Sequence, residues 1–137
     1  MIEMELENER VERLRVQRMG EDWIKAIADG APGRLEAFCG PELMSHVLTP
    51  KRSLTLENAS ALVAKYQGWF GTCTDIRVEE SRICRVGERL GIFYRFYLQD
   101  QGNWYSIEQQ LYCTVKDGRV QQLHLLCSGF HSVGTVN

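Results

Sequence analysis

Three histidines, His46, His124 and His131, are the residues of this chain best suited to moving protons, because imidazole takes up and releases a proton near neutrality. They show no His-x-x-x-His or mixed His/Cys spacing, so no metal site is expected. Ser128, His124 and Asp75 supply the residue types of a hydrolytic triad, but no Gly-x-Ser-x-Gly elbow accompanies them. Phosphate-cradling glycine loops are missing as well, and no cofactor is expected. Five cysteines, Cys39, Cys73, Cys84, Cys113 and Cys127, are scattered and odd in number. That usage fits free, buried thiols in a reducing compartment, and a cytoplasmic location is the expectation. His46 and His124 are the favoured proton carriers. Each also has a plainer reading, His46 as a loop residue between Ser45 and Val47 and His124 as a core residue between Leu123 and Leu125.

A chain of 137 residues has the size of one domain. With 16 basic residues against 18 acidic ones the net charge is −2, which argues against nucleic acid as a partner. No membrane partner is expected either. The acidic start, Met1-Ile2-Glu3-Met4-Glu5, lacks the form of a secretory signal, and the apolar runs are too short to span a bilayer.

The elements that must position these residues fall in two blocks. Residues 3–18 place Glu3, Glu5, Glu7, Glu9 and Glu12 ahead of Arg13, Arg15 and Arg18, an order that suits a helix dipole and predicts a charged helical extension over 1–18. Gly20 is read as a break, after which Trp23 and Ile27 make an apolar stripe. A short helix is expected over 34–39, an irregular stretch near Thr49-Pro50, and a helix capped by Thr55 with Leu62, Val63, Tyr66 and Phe70 on one face. From Thr72 onward β-branched and aromatic residues alternate, predicting strands over 74–80, 82–87, 90–99, 104–116 and 119–130. Asp117-Gly118 is the strongest local signal, since it favours a two-residue hairpin. Helices first and strands afterwards define an α+β domain over 19–137, with the helices gathered on one side of a mostly antiparallel sheet.

A regular two-residue hairpin at Asp117-Gly118 sets Leu111 opposite His124 and Ile107 opposite Ser128. One face then carries Tyr105, Ile107, Gln109, Leu111 and Cys113 with Gln122, His124, Leu126 and Ser128. Trp104, Tyr112, Leu123, Leu125 and Cys127 fall on the other.

The phrase from Trp23 to Gly30, then Leu35-Glu36-Ala37-Phe38, and the closing Asp117-Gly118-Arg119-Val120 hairpin resemble, in this order, the nuclear transport factor 2-like, or SnoaL-like, family. The likeness covers about residues 18–130. It implies a cystatin-like cone roll in which a curved sheet and the helices packed on it enclose a small-molecule pocket. Members with polyketide cyclase activity carry an acid–base Asp ten positions beyond the hairpin Gly, and that position is Ser128 here, which cannot act as a carboxylate. By the same count the face bearing His124 and Gln122 is the pocket face. Steroid isomerases carry their proton-shuttling Asp eight residues after a Leu-Phe-like pair; counted from Phe38 that position is His46, while their Tyr and Asp oxyanion donors have no match near Trp23 or Gln109. The resemblance thus implies a pocket for a small apolar organic molecule. His46 and His124 are its expected catalytic pair, with Trp23, Tyr105, Gln109, Leu111, Gln122, Leu126 and Ser128 as ligand contacts, in an isomerase, dehydratase or cyclase. The alternative is a non-catalytic ligand-binding or assembly module of the same fold. Homodimerisation is expected through the outer sheet face with Trp104, Tyr112 and Leu125.

Overall fold

The computed structural model describes residues 2–133. Its first helix, α1 (Ile2–Ala28), runs unbroken through Gly20. A β-carbon on Gly20 would come within 3.0 Å of the Ile83 side chain, so this glycine is a point of close helix–sheet approach rather than the expected break. The helix ends where Gly30 turns left-handed (φ 72°), with Gly30 N–H donating to the Ile27 carbonyl at 3.0 Å and Ala31 N–H to that of Ala26 at 2.8 Å. This pair of bonds is a Schellman stop. A 3-10 turn, Pro32–Phe38, buries Leu35 and leads directly into β1 (Cys39–Leu48).

β1 and β2 (Ser53–Glu57) form a hairpin where an irregular stretch was expected, and His46 lies within β1 rather than in a loop. α2 (Ala59–Phe70) begins at Asn58, whose side chain accepts the Ala61 N–H at 2.8 Å, three residues beyond the expected Thr55 cap. It buries Leu62, Val63, Tyr66 and Phe70 as the spacing predicts. Residues 74–87, expected as two strands, are one long strand, β3 (Cys73–Val86), whose pairing shifts register between Val78 and Glu80. β4 (Arg89–Asp100), β5 (Asn103–Lys116) and β6 (Arg119–Cys127) follow as antiparallel neighbours, and a two-residue β7 (His131–Ser132) returns to β5. The strand order is β2-β1-β6-β5-β4-β3, with β1 parallel to β6 and every other pair antiparallel. The fold is therefore the expected α+β arrangement of helices on a curved, mostly antiparallel sheet.

One detail reverses the predicted faces of β6. Asp117 and Gly118 both have positive φ, as a primed hairpin turn requires. Val115 pairs with Val120, but the next pair is Thr114 with Gln122, so Gln121 is an extra residue in β6. A bulge of one residue exchanges the faces of everything beyond it. The inserted residue has a specific seat: its side-chain amide lies where a β-carbon on Gly40 would be, and its Nε2 donates to the Lys116 carbonyl at 3.2 Å. Leu123, Leu125 and Cys127 consequently face inward, while Gln122, His124 and Leu126 stand outside.

Candidate functional site

The pairing registers lay the inward side chains out in rows. Ile92, Leu111, Leu125 and Val47 make an apolar row; Leu90, Cys113, Leu123 and Ser45 lie on one side of it and Tyr94, Gln109 and Cys127 on the other. The last row meets two helical side chains. Trp23 of α1 donates its Nε1 hydrogen to the Tyr66 hydroxyl of α2 at 3.2 Å, and Tyr66 lies 3.0 Å from the Tyr94 hydroxyl. Tyr94 donates to Gln109 Oε1, and Gln109 Nε2 donates to the Cys127 sulfur at 3.3 Å. Because the single Tyr94 proton goes to Gln109, Tyr66 must be the donor toward Tyr94. The chain therefore has one direction, from the indole through two phenols and an amide to a thiol. Gly129 N–H also donates to that sulfur, at 3.4 Å.

Burial dominates the electrostatics of this interior. It holds the phenols of Tyr66 and Tyr94 above their ordinary range and pushes the Cys113 thiol up to about 12. These groups act as neutral donors and acceptors. Cys39 is held near 12 as well, first by burial and then by the neighbouring Glu36. Among the buried side chains of the described residues only Ser45 Oγ lacks a hydrogen-bond partner, and Ser45 and Gln109 are the only polar residues in the fully buried class.

The hydrogen-bonded chain ends near two surface depressions. Tyr66 lines a cleft of about 420 Å³ between the ends of α1 and α2, together with Ile27, Pro32 and Phe70. Cys127 lines a wider groove of about 530 Å³ between the β1–β2 turn, α2 and the segment after β6. Lys51, Arg52 and Lys65 stand around this groove, Trp69, Phe130 and Pro50 supply apolar wall, and among the described residues no Asp or Glu lines it. Lys65 Nζ sits 5.2 Å from the centre of the Trp69 ring. Gly129, at φ 79°, passes so near Pro50 that a β-carbon there would lie 3.1 Å from the proline ring.

The expected site residues divide between these regions. Trp23, Gln109 and Leu111 are buried inside, and Tyr105 is half-buried against Phe130. Ser128 sits at the groove, where its hydroxyl accepts the Glu108 N–H at 2.9 Å and donates to the Gly129 carbonyl at 2.8 Å. His46 and His124, expected together inside the cone, are neighbours with rings stacked 4.9 Å apart on the outer wall of the sheet instead. The parallel β1–β6 register places them side by side, and the Gln121 bulge turns His124 outward. His46 Nδ1 lies 3.4 Å from the Thr55 hydroxyl. Gln122 and Leu126 are exposed on the same outer wall, against expectation and for the same reason. Tyr66, Tyr94, Cys127 and the groove cations were not foreseen as site residues. Strand alternation through Tyr94, and the apolar run Leu123, Leu125 and Cys127, were the available signals.

No protein-family model matches the chain, and no curated protein matches it in sequence. Solved structures do match it in fold. A polyketide-cyclase-like protein from Xanthomonas campestris pv. campestris superposes with a TM-score of 0.67 at 14% identity, covering 83% of this chain and 90% of that one. An NTF2-like protein from Burkholderia xenovorans LB400 gives 0.64 at 16% identity, covering 84% and 90%. An epoxide hydrolase of the LEH-like type from M. tuberculosis gives 0.63 at 13% identity, covering 84% of each. The chain thus has the cone fold of nuclear transport factor 2-like and SnoaL-like proteins, and the fold alone leaves its chemistry open. Among the described residues no helix is long and apolar enough to cross a membrane.

Proposed function

We propose that the protein is a non-catalytic binding module for a small, largely apolar molecule bearing an acidic group, taken up in the groove beside Cys127. The observation that carries this reading is the groove itself: among the described residues three cations and no Asp or Glu surround an aromatic and sulfur-bearing wall. An apolar body would pack on Trp69 and Phe130 while its acidic group meets Lys51, Arg52 and Lys65. The interior supports binding over acid–base catalysis, because Trp23, Tyr66, Tyr94 and Gln109 are engaged with one another and both candidate imidazoles stand on the outer wall. Titration calorimetry with a medium-chain alkyl carboxylate and the alcohol of equal length tests it. The carboxylate is expected to bind more tightly, with Lys65→Met or Arg52→Met weakening it about three- to tenfold and His46→Ala with His124→Ala leaving it unchanged. Equal binding of acid and alcohol, or no binding of either, defeats the reading.

The same reading includes association of two copies through the outer sheet face. Leu48, Tyr112 and Leu126 stand exposed there beside the stacked histidines, whereas Leu125 belongs to the core and Trp104 is half-buried on Tyr97. Leu126→Asp is expected to weaken self-association in sedimentation about tenfold or more; an unchanged profile rules this face out.

A further inference from the structure

The N-terminal half of α1 leaves the body of the protein. From Ile2 to Arg15 every residue but the half-buried Glu12 is exposed, an arm about 21 Å long at the α-helical rise. Ile2 and Leu6 are exposed away from the row in which its other apolar residues align. Met4, Val11 and Leu14 fall at heptad spacing on one stripe, with Glu7 and Arg18 in the same row. The stripe lies about 150° round the helix from Val16, Met19, Trp23 and Ile27, which pack on the body. A second helix approaching it would therefore meet no part of its own domain. Val11 is 50% and Leu14 63% exposed, so the stripe is uncovered within one chain.

We infer that this stripe pairs with the same stripe of a second copy, the two arms running antiparallel. Charge selects both partner and direction. In the antiparallel register Val11 faces Leu14 of the second copy and Leu14 faces its Val11. Glu7 then faces Arg18 of the second copy at one end, and Arg18 faces Glu7 at the other. Parallel pairing would set Glu7 against Glu7 and Arg18 against Arg18. The flanking heptad positions are compatible, since they bring Arg10 near Gln17 and Asn8 near Arg15 across the seam. Among the described residues neither Glu7 nor Arg18 has an ion-pair partner within its own chain, while Arg15 is engaged by Glu12 at 3.6 Å. The seam is short, below the standard interface size of about 1,200 Å², so the pairing is weak and belongs to a concentration-dependent assembly.

The test is sedimentation equilibrium of the full chain up to hundreds of micromolar, beside Leu14→Asp, Glu7→Arg, Arg18→Glu, the double charge exchange and Leu126→Asp. Circular dichroism confirms that each variant is folded; the arm substitutions lie outside the core. Leu14→Asp is expected to raise the dissociation constant at least tenfold and each single charge reversal about threefold or more. The double exchange is expected to restore the native value within about twofold. Association that persists in Leu126→Asp but falls in Leu14→Asp separates the arm from the outer sheet face. A native chain that stays monomeric, a Leu14→Asp profile equal to native, or a double exchange as weak as the singles overturns the pairing.

Discussion

Replacing Trp23 by alanine is expected to remove about 3–5 kcal/mol of stability, the usual cost of truncating a fully buried large aromatic side chain. Trp23 has no exposed surface, meets the Tyr66 ring edge-on at 6.4 Å and starts the buried hydrogen-bond chain. A domain of this size has about 5–15 kcal/mol in all, so the melting temperature should fall by about 10 °C or more. The chain beyond it predicts a distinctive pattern. Tyr94→Phe leaves the Tyr66 proton and Gln109 Oε1 without partners, and Gln109→Leu strands the Tyr94 proton; each should cost about 1–3 kcal/mol. Because both remove the same bond, the double variant should cost less than the two singles added together. Urea unfolding of the four proteins decides the matter, and strict additivity would show that the two groups are not coupled in solution.

The parts of this fold that are legible in the sequence are those set by local pattern. The α2 stripe of Leu62, Val63, Tyr66 and Phe70 is helical spacing, and Asp117-Gly118 demands left-handed backbone that few other pairs supply. What escaped depends on distant contacts. β1 carries Gly40-Pro41 and a mixed composition, and it becomes a strand because it docks parallel to β6, some 80 residues away by the Arg119–Cys39 bond. Gly20 reads as a helix break unless Ile83 is known to press on it. The candidate site failed in two places, at His46, whose expected loop is a strand, and at one inserted residue in β6. Gln121 has no composition that marks a bulge, yet it decides whether His124 or Leu123 faces the core. The apolar alternation of Leu123, Leu125 and Cys127 was the better guide, because burying that set and exposing Gln122 and His124 satisfies both water and core.

Raising the pH above about 9 is expected to destabilise the protein ever more steeply. Cys113 has a folded value of about 12 against an ordinary 9.0, and Tyr66 and Tyr94 are raised above 10.0, all chiefly because burial penalises the charged forms. Folded values above unfolded ones mean that the unfolded chain releases these protons first. The stabilisation is therefore complete below pH 9 and is lost as pH rises from there toward the folded values. Each group contributes at most about 1.4 kcal/mol per pH unit, so Cys113 and Cys39, which burial also holds near 12, acting from pH 9 and the two tyrosines from pH 10 should together cost up to about 8 kcal/mol by pH 11. Urea midpoints measured from pH 8 to 11 should fall ever more steeply, and Cys113→Ala should lose about half of the slope that begins near pH 9, Cys39 supplying the rest. Tyrosinate absorbance supplies an independent reading. Burial raises Tyr66 and Tyr94, so these two phenols should ionise only as the protein unfolds. If the Tyr66 and Tyr94 phenols ionise near pH 10 with the fold intact, the hydrogen-bonded chain from Trp23 to Cys127 is open to water and its burial as described is wrong.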